Sequence, residues 1–252
     1  MKVSRRSRAL AAGAWVAGSW LLCASALAAP PRRAGTTPST DPALEAILHR
    51  FDEVQRTIRS LSADFTQTTV DPLLKAPMSA QGRFYLRKPD SVLWEYVSPE
   101  AMQFAIDRGE YTGYFPGRRH AERRDVHRWT EQIFRFFAVG QASAELRKFY
   151  DIRLEDPGPD RKGSYLLVLD PTKRRVRKRV EEVRFWVDAE SCLPSKVVYV
   201  NKAGATRTIL FHNVQLNPDL AVSLFSVQIP PGVVVTNGFT EMGGAAAPSS
   251  TH

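Results

Sequence analysis

Hydrophobic positions along the chain change period once, near residue 60. Before that point Leu44, Ile47, Leu48, Phe51, Val54, Ile58 and Leu61 recur at three- and four-residue intervals, while Glu45, Arg50, Asp52, Glu53, Arg56 and Arg59 fall between them. Such spacing sets the apolar side chains on one stripe and predicts an amphipathic helix of about five turns. Asp41 suits its N-cap, and Pro42 the first helical position, where the N–H that proline lacks would have no partner.

From Ala63 onward the period is two. Alternation predicts strands over 63–70, 79–87, 91–96, 102–107, 110–115, 118–125, 151–155, 164–170, 180–188, 194–201, 206–215 and 225–229. Turn residues separate many of them: Lys88-Pro89-Asp90, Ser98-Pro99, Asp107-Arg108-Gly109, Pro116-Gly117 and Asn201-Lys202-Ala203-Gly204. Short strands at these intervals predict an antiparallel meander in one large, curved sheet. A helical island, 129–150, interrupts it with Ile133, Phe134, Phe136, Phe137, Leu146 and Phe149, and Gly140 divides the island into two short helices. The chain carries no internal repeat.

Composition changes this picture at the two ends. Lys2, Arg5, Arg6 and Arg8 precede an apolar run, 9–22, and Ala26-Leu27-Ala28 has the small-x-small form of an export-signal cleavage site. Residues 1–29 therefore read as a signal peptide cut near Ala28 or Ala29, followed by a flexible arm, 30–40, rich in Pro, Arg, Gly and Thr. The globular domain is expected over 41–236, with 237–252 a disordered tail. Removing 29 of the 252 residues, with their four cations and no acid, leaves 223 residues and a net charge of +5. Cys23 leaves with the signal, so Cys192 has no intramolecular disulfide partner and the core alone must hold the fold. A mildly basic, exported single domain follows, and export disfavours nucleic acid as a partner.

Motifs for chemistry are missing. The chain has no Gly-x-Ser-x-Gly, Cys-x-x-Cys, His-Glu-x-x-His or Gly-x-Gly-x-x-Gly. Gly158 and Gly163 have the spacing of a phosphate loop, but Ser164 stands where its lysine belongs. His120 and Glu122 could share a strand face and bind a metal, yet His127 is out of phase with them and a solvated hairpin is the plainer account. Cys192 lacks a nearby base and reads as a structural thiol. No enzyme, metal or cofactor is expected. Two basic segments, 118–128 and 173–179, could grip phosphates, anionic headgroups or an acidic protein, or could be hairpin tips in water. What remains is an aromatic sheet face. Phe84 and Leu86 share one side of their strand, as do Trp94 with Tyr96 and Phe104 with Ile106. That face is either filled by the protein's own helices or is a trough for an apolar ligand.

The ordered motifs carry a resemblance. Phe65-x-Gln67, Gly82-x-Phe84-x-Leu86-x-Lys88-Pro89, Trp94-x-Tyr96-x-x-Pro99, Leu167-x-Leu169-x-Pro171, Phe211-x-Asn213, Asn217 and Phe225-x-x-x-Ile229-Pro230-x-Gly232-Val233 together resemble the bacterial periplasmic lipoprotein carriers of the LolA family. The likeness spans roughly 44–235. It implies an incomplete, half-open antiparallel β-barrel whose hydrophobic cavity lies under a helical lid, beside the N-terminal amphipathic helix. It also implies a monomeric periplasmic chaperone that takes acylated lipoproteins from an inner-membrane ABC transporter to an outer-membrane receptor. A lipid- or lipoprotein-responsive regulator on the same half-barrel is the alternative.

On that reading the cavity lining includes Phe65, Phe84, Leu86, Trp94, Tyr96, Phe104 and Ile106, with Ile133, Phe136 and Phe137 from the lid. The family commonly places a lid-latching arginine before the strand-ending proline; here the position is Lys88, with Arg87 one residue earlier. Phase favours Lys88, which shares the side of Phe84 and Leu86, and its expected acceptors are carbonyls of the 129–150 island. Lysine lacks the planar fork that holds several carbonyls at once. The strand after the Asp-Arg-Gly turn, which in the family usually bears Trp, reads Tyr111-Thr112-Gly113-Tyr114-Phe115.

Overall fold

The computed structural model describes residues 41–127 and 142–238. Helix α1, Pro42–Thr57, begins where its sequence requires, with the Ala43 N–H donating to Asp41 Oδ1 at 2.9 Å. Leu44, Leu48 and Phe51 are buried along its stripe. The helix ends a turn before the stripe does. Ile58 is extended (φ −71°, ψ 118°), and Arg59 and Ser60 donate their N–H groups to Asn217 Oδ1 at 2.7 and 3.3 Å. Asn217 Nδ2 in turn donates to the Thr57 carbonyl at 3.1 Å. The expected helix through Leu61 is thus corrected: a side chain 158 residues away supplies the stop, and Ile58 and Leu61 are buried in the sheet's own core.

The sheet is built from β1 (Ser60–Val70), β2 (Met78–Arg87), β3 (Ser91–Ser98), β4 (Met102–Asp107), β5 (Glu110–Phe115), β6 (His120–Asp125), β7 (Tyr150–Glu155), β8 (Ser164–Pro171), β9 (Val180–Asp188), β10 (Pro194–Asn201), β11 (Thr206–Leu216) and β12 (Val234–Thr236). These form one unclosed sheet in the order β12-β6-β5-β4-β3-β2-β1-β11-β10-β9-β8-β7, antiparallel except where β12 runs parallel to β6. Each neighbour but two is a chain neighbour, which is the meander that close-spaced strands predict. The two long-range steps are β12 against β6, pairing Val234 with His120, and β1 against β11, pairing Phe65 with Phe211 and Val70 with Thr206. The result is an open antiparallel β-barrel with few helices.

Three further expectations are corrected. Residues 225–229 form no strand: Val222–Phe225 is a 3₁₀ turn that seats Phe225, 1% exposed, against Leu93 and Ala105. Pro230 and Pro231 then offer no N–H to a ladder. The last strand is instead Val234–Thr236, inside the expected 41–236 domain but at a place where alternation predicts no strand. Strand β6 starts at His120 and not at 118, because Pro116–Arg118 is a 3₁₀ turn closed by the Arg119 N–H on the Pro116 carbonyl, with Arg119 at φ 49°. Between β8 and β9 the basic segment makes a helical turn, α3 (Arg174–Arg177).

Of the 129–150 island, helix α2 spans Ser143–Arg147 and Tyr150 already belongs to β7. Asp52 of α1 accepts from both the N–H (2.6 Å) and hydroxyl (2.7 Å) of Ser143, tying α2 to α1. Gly140 and the expected break there lie outside the described residues.

Candidate functional site: the aromatic inner face

The site follows from strand registers. Antiparallel pairing brings residues on one pleat face into rows across the strands. One row runs Ala63–Phe84–Trp94–Phe104, a second Leu61–Leu86–Val92–Ile106–Tyr111, and a third Phe65–Gly82–Tyr96–Met102. All seven expected strand residues, Phe65, Phe84, Leu86, Trp94, Tyr96, Phe104 and Ile106, are brought into one buried cluster. Their rings meet mostly edge to face: Phe65 to Trp94 at 4.7 Å and 69°, Phe65 to Tyr96 at 5.0 Å and 79°, Tyr96 to Phe104 at 5.9 Å and 86°. Such geometry sets the positive edge of one ring on the negative face of the next.

Gly82 makes the third row possible. A Cβ there would lie 2.1 Å from the Glu95 carbonyl oxygen and 2.7 Å from Phe65 Cζ, so the missing side chain leaves the space that Phe65 crosses to reach Tyr96. The register shift between Gln81 and Gly82 marks the same spot.

Helix α1 divides the inner face. Its Leu44, Leu48 and Phe51 pack with Leu167, Leu169, Val183, Phe185 and Val197, over strands β8 to β10. Over the aromatic rows of β1 to β5 it contributes Val54. Tyr199 and Phe211 adjoin both clusters. The expected partners Ile133, Phe136 and Phe137 lie outside the described residues. Residues the sequence reading missed are Tyr111, Val92, Leu61 and Ile209, all buried in the aromatic cluster. The alternation of 110–115 and the tight 107–109 turn were signals enough for Tyr111; Ile209 needed the β1–β11 pairing.

Polar groups rim the face. Tyr96 donates its hydroxyl to buried Gln67 Oε1 at 3.1 Å. Burial pushes this phenol up to about 12, against the opposing pull of Arg207. Tyr111, fully buried, is likewise raised by burial and by Glu122. Lys88 donates through Nζ to the Gln55 carbonyl at 2.7 Å, in the last turn of α1, where carbonyls have no intrahelical donor. Burial lowers its pKa. Among the described residues the acceptor is thus on α1; most of the 129–150 island, the expected source of acceptors, lies outside them. Arg87 faces away, its guanidinium carbon 5.1 Å from the ring centre of Phe225 in the outer cluster of Leu93, Ala105 and Phe225.

The other chemical candidates stay apart. His120 Nε2 lies 3.8 Å from Glu122 Oε1, while His127 pairs with Asp125 at 2.9 Å, and no group of three metal-ligating side chains occurs among the described residues. Cys192 is buried at φ 55° in the β9–β10 turn, and burial raises its pKa, which keeps it a protonated, weakly nucleophilic thiol. What the inner face offers is apolar contact area.

Comparison with known proteins agrees with the geometry. The family model described as outer membrane lipoprotein carrier protein LolA matches residues 56–228. An outer-membrane lipoprotein carrier protein of Bordetella avium is 26% identical over 178 residues, covering 71% of this chain and 81% of the relative. Its counterpart from Pseudoalteromonas translucida is 23% identical over 185 residues, covering 71% and 81%. A crystal structure of an uncharacterized conserved protein from Thermus thermophilus aligns with a TM-score of 0.50 at 12% identity, over 78% of this chain and 99% of that one, a likeness of fold alone.

Proposed function

The chain belongs to the outer membrane lipoprotein carrier family LolA, and from that premise we propose that it is a periplasmic carrier which shields lipoprotein acyl chains on its inner face. The carrying observation is the three registered apolar rows on β1 to β5, a half of the inner face to which α1 gives Val54 while its main stripe covers the other half. Residues 1–29 act as the export signal, removed near Ala28 or Ala29, and the mature monomer receives cargo from an inner-membrane ABC transporter and delivers it to an outer-membrane receptor. Phe65, Phe84, Leu86, Trp94, Tyr96, Phe104 and Ile106 contact the chains, and Ile133, Phe136 and Phe137 form the movable cover. Lys88, fastened to the last turn of α1, serves as the latch of the empty carrier. The protein works without a cofactor or catalytic step.

Magnitudes fit a carrier. Burying a methylene is worth about 0.8 kcal/mol, so several acyl chains nominally supply tens of kcal/mol. That exceeds the roughly 18–21 kcal/mol at which non-covalent affinity saturates. Release therefore requires that part of the gain be offset, and rearranging a packed aromatic cluster to admit the chains does so.

Incubating the purified protein with inner-membrane vesicles that hold newly acylated lipoprotein and the ABC transporter tests this. Lipoprotein should appear in the soluble fraction bound to the carrier. Cargo that stays in the membrane whatever the amount of protein added contradicts the proposal.

A further inference from the structure

Strand direction gathers one kind of chemistry at one end of the barrel. The β1–β2, β3–β4, β5–β6, β8–β9 and β10–β11 connections all lie there, as the pairs Thr69–Met78, Tyr96–Met102, Phe115–His120, Leu169–Val183, Val200–Thr206 and Val70–Thr206 fix. At its centre the β1–β2 loop exposes Leu73 (90%) and Leu74 (43%), flanked by Val70 (46%) and Met78 (55%). The leucines do not fold back. The Leu73 N–H donates to Asp71 Oδ1 and the Leu74 N–H to the Asp71 carbonyl, both at 2.9 Å, which holds the turn outward.

Cations flank this apolar tip symmetrically. The β8–β9 connection bears exposed Lys173, Arg174, Arg177 and Lys178, and the β5–β6 connection exposed Arg118 and Arg119. In the strand order each lies four spacings from the β1–β2 loop, about 19 Å along the sheet at roughly 4.8 Å per strand. Lys75 stands beside the leucines themselves. Arg118 is engaged by Glu100 at 3.6 Å and Lys202 by Glu181; the acids of the connections at this end are Asp71 and Glu100. The opposite end is mixed in sign, with Asp90, Asp125, Asp156 and Glu190 among Arg108, Arg161 and Lys162.

We propose that this end docks the protein on an anionic phospholipid surface, with Leu73 and Leu74 entering the headgroup region and the flanking lysines and arginines binding lipid phosphates. Exposed leucines on a hydrogen-bonded turn gain by leaving water only where an apolar phase is within reach, and each cation near such a surface adds attraction of its own. An acidic protein would satisfy the cations and leave the leucines in water. The inference concerns the outer rim and does not depend on what the inner face holds.

Flotation tests it, using protein recovered after export and vesicles of phosphatidylcholine alone or with about one-third phosphatidylglycerol. The protein should float with the anionic vesicles and not the neutral ones, and salt should release it. Replacing Lys173, Arg174, Arg177 and Lys178 by Gln should weaken flotation roughly tenfold or more. Leu73→Asp with Leu74→Asp should weaken it as well. Because these side chains are exposed, both variants should keep the wild-type melting curve and the wild-type binding of a soluble acyl probe. Equal flotation with neutral vesicles, unaltered flotation of either variant, or binding to an acidic polypeptide with none to anionic vesicles overturns the proposal.

Discussion

At position 82 the backbone leaves no room for a side chain. Gly82→Ala must move either the Glu95 carbonyl or the Phe65 ring, since the added methyl would meet them at 2.1 and 2.7 Å. Overpacking of this kind costs about 1–3 kcal/mol, and the denaturant midpoint should fall accordingly. Gly117→Ala is the control: a Cβ there meets nothing within 4 Å, and the change should stay within about 0.5 kcal/mol. Equal midpoints for the two variants would contradict the close approach at Gly82. The Lys88–Arg87 pair makes a second contrast. Lys88→Leu removes the side-chain donor to the Gln55 carbonyl, whereas Arg87→Leu changes a contact on the outer face with Phe225. Lys88→Leu should load cargo but deliver it poorly to the receptor, having lost the contact that favours the empty state, and Arg87→Leu should deliver normally. Transfer of labelled lipoprotein measures both; normal delivery by Lys88→Leu contradicts the latch.

The junction of α1 with β1 shows what local pattern can and cannot convey at the scale of elements. Leu44, Leu48 and Phe51 made the helix legible, but the same spacing runs on through Ile58 and Leu61, which are buried as parts of the sheet core. The true boundary is set by Asn217, at φ 53°, through bonds to Arg59, Ser60 and Thr57. No window of sequence around residue 58 contains that information. Asn217→Ala should lower stability by roughly 1–3 kcal/mol, from the lost bonds and the positive φ. Asn217→Gly, which relieves only the backbone, should recover part of it, and hydrogen exchange should quicken at the Arg59 and Ser60 amides in both. Unchanged exchange would sink the capping role. Strands 102–107, 110–115, 180–188 and 194–201 were readable to the residue because tight turns bound them and alternation is local. Phe225 was not, because an outer apolar pocket of Leu93 and Ala105 outweighs its strand-like neighbourhood. The aromatic rows were legible as faces; which half of the inner face α1 would cover depends on the β1–β11 closure and was not.

Across the whole molecule, tyrosines buried in the core or packed partly buried against it tie the fold to alkaline pH. Burial holds Tyr96 and Tyr150 up at about 12 and raises Tyr111 and Tyr199 as well. An unfolded tyrosine ionises near 10. With the folded pKa above the unfolded one, the folded state keeps its protons longer, so this stability is whole below pH about 10 and is lost as pH rises through about 12. Tyrosinate absorbance from these residues should therefore appear together with loss of near-ultraviolet dichroism; ionisation near pH 10 in a still-folded protein would contradict their burial. The same architecture separates an aromatic inner face from an outer face packed by Phe225, and in the proposed carrier only the inner one meets cargo acyl chains. Photo-crosslinking decides it most directly, with a photoreactive residue at Phe84 or Trp94 on the inner face and at Tyr85 or Leu93 on the outer, during loading with acyl-labelled lipoprotein. Label is expected from positions 84 and 94 and little from 85 and 93; label from the outer pair, or from none of the four while cargo is held, would rule out the inner face as the cargo site.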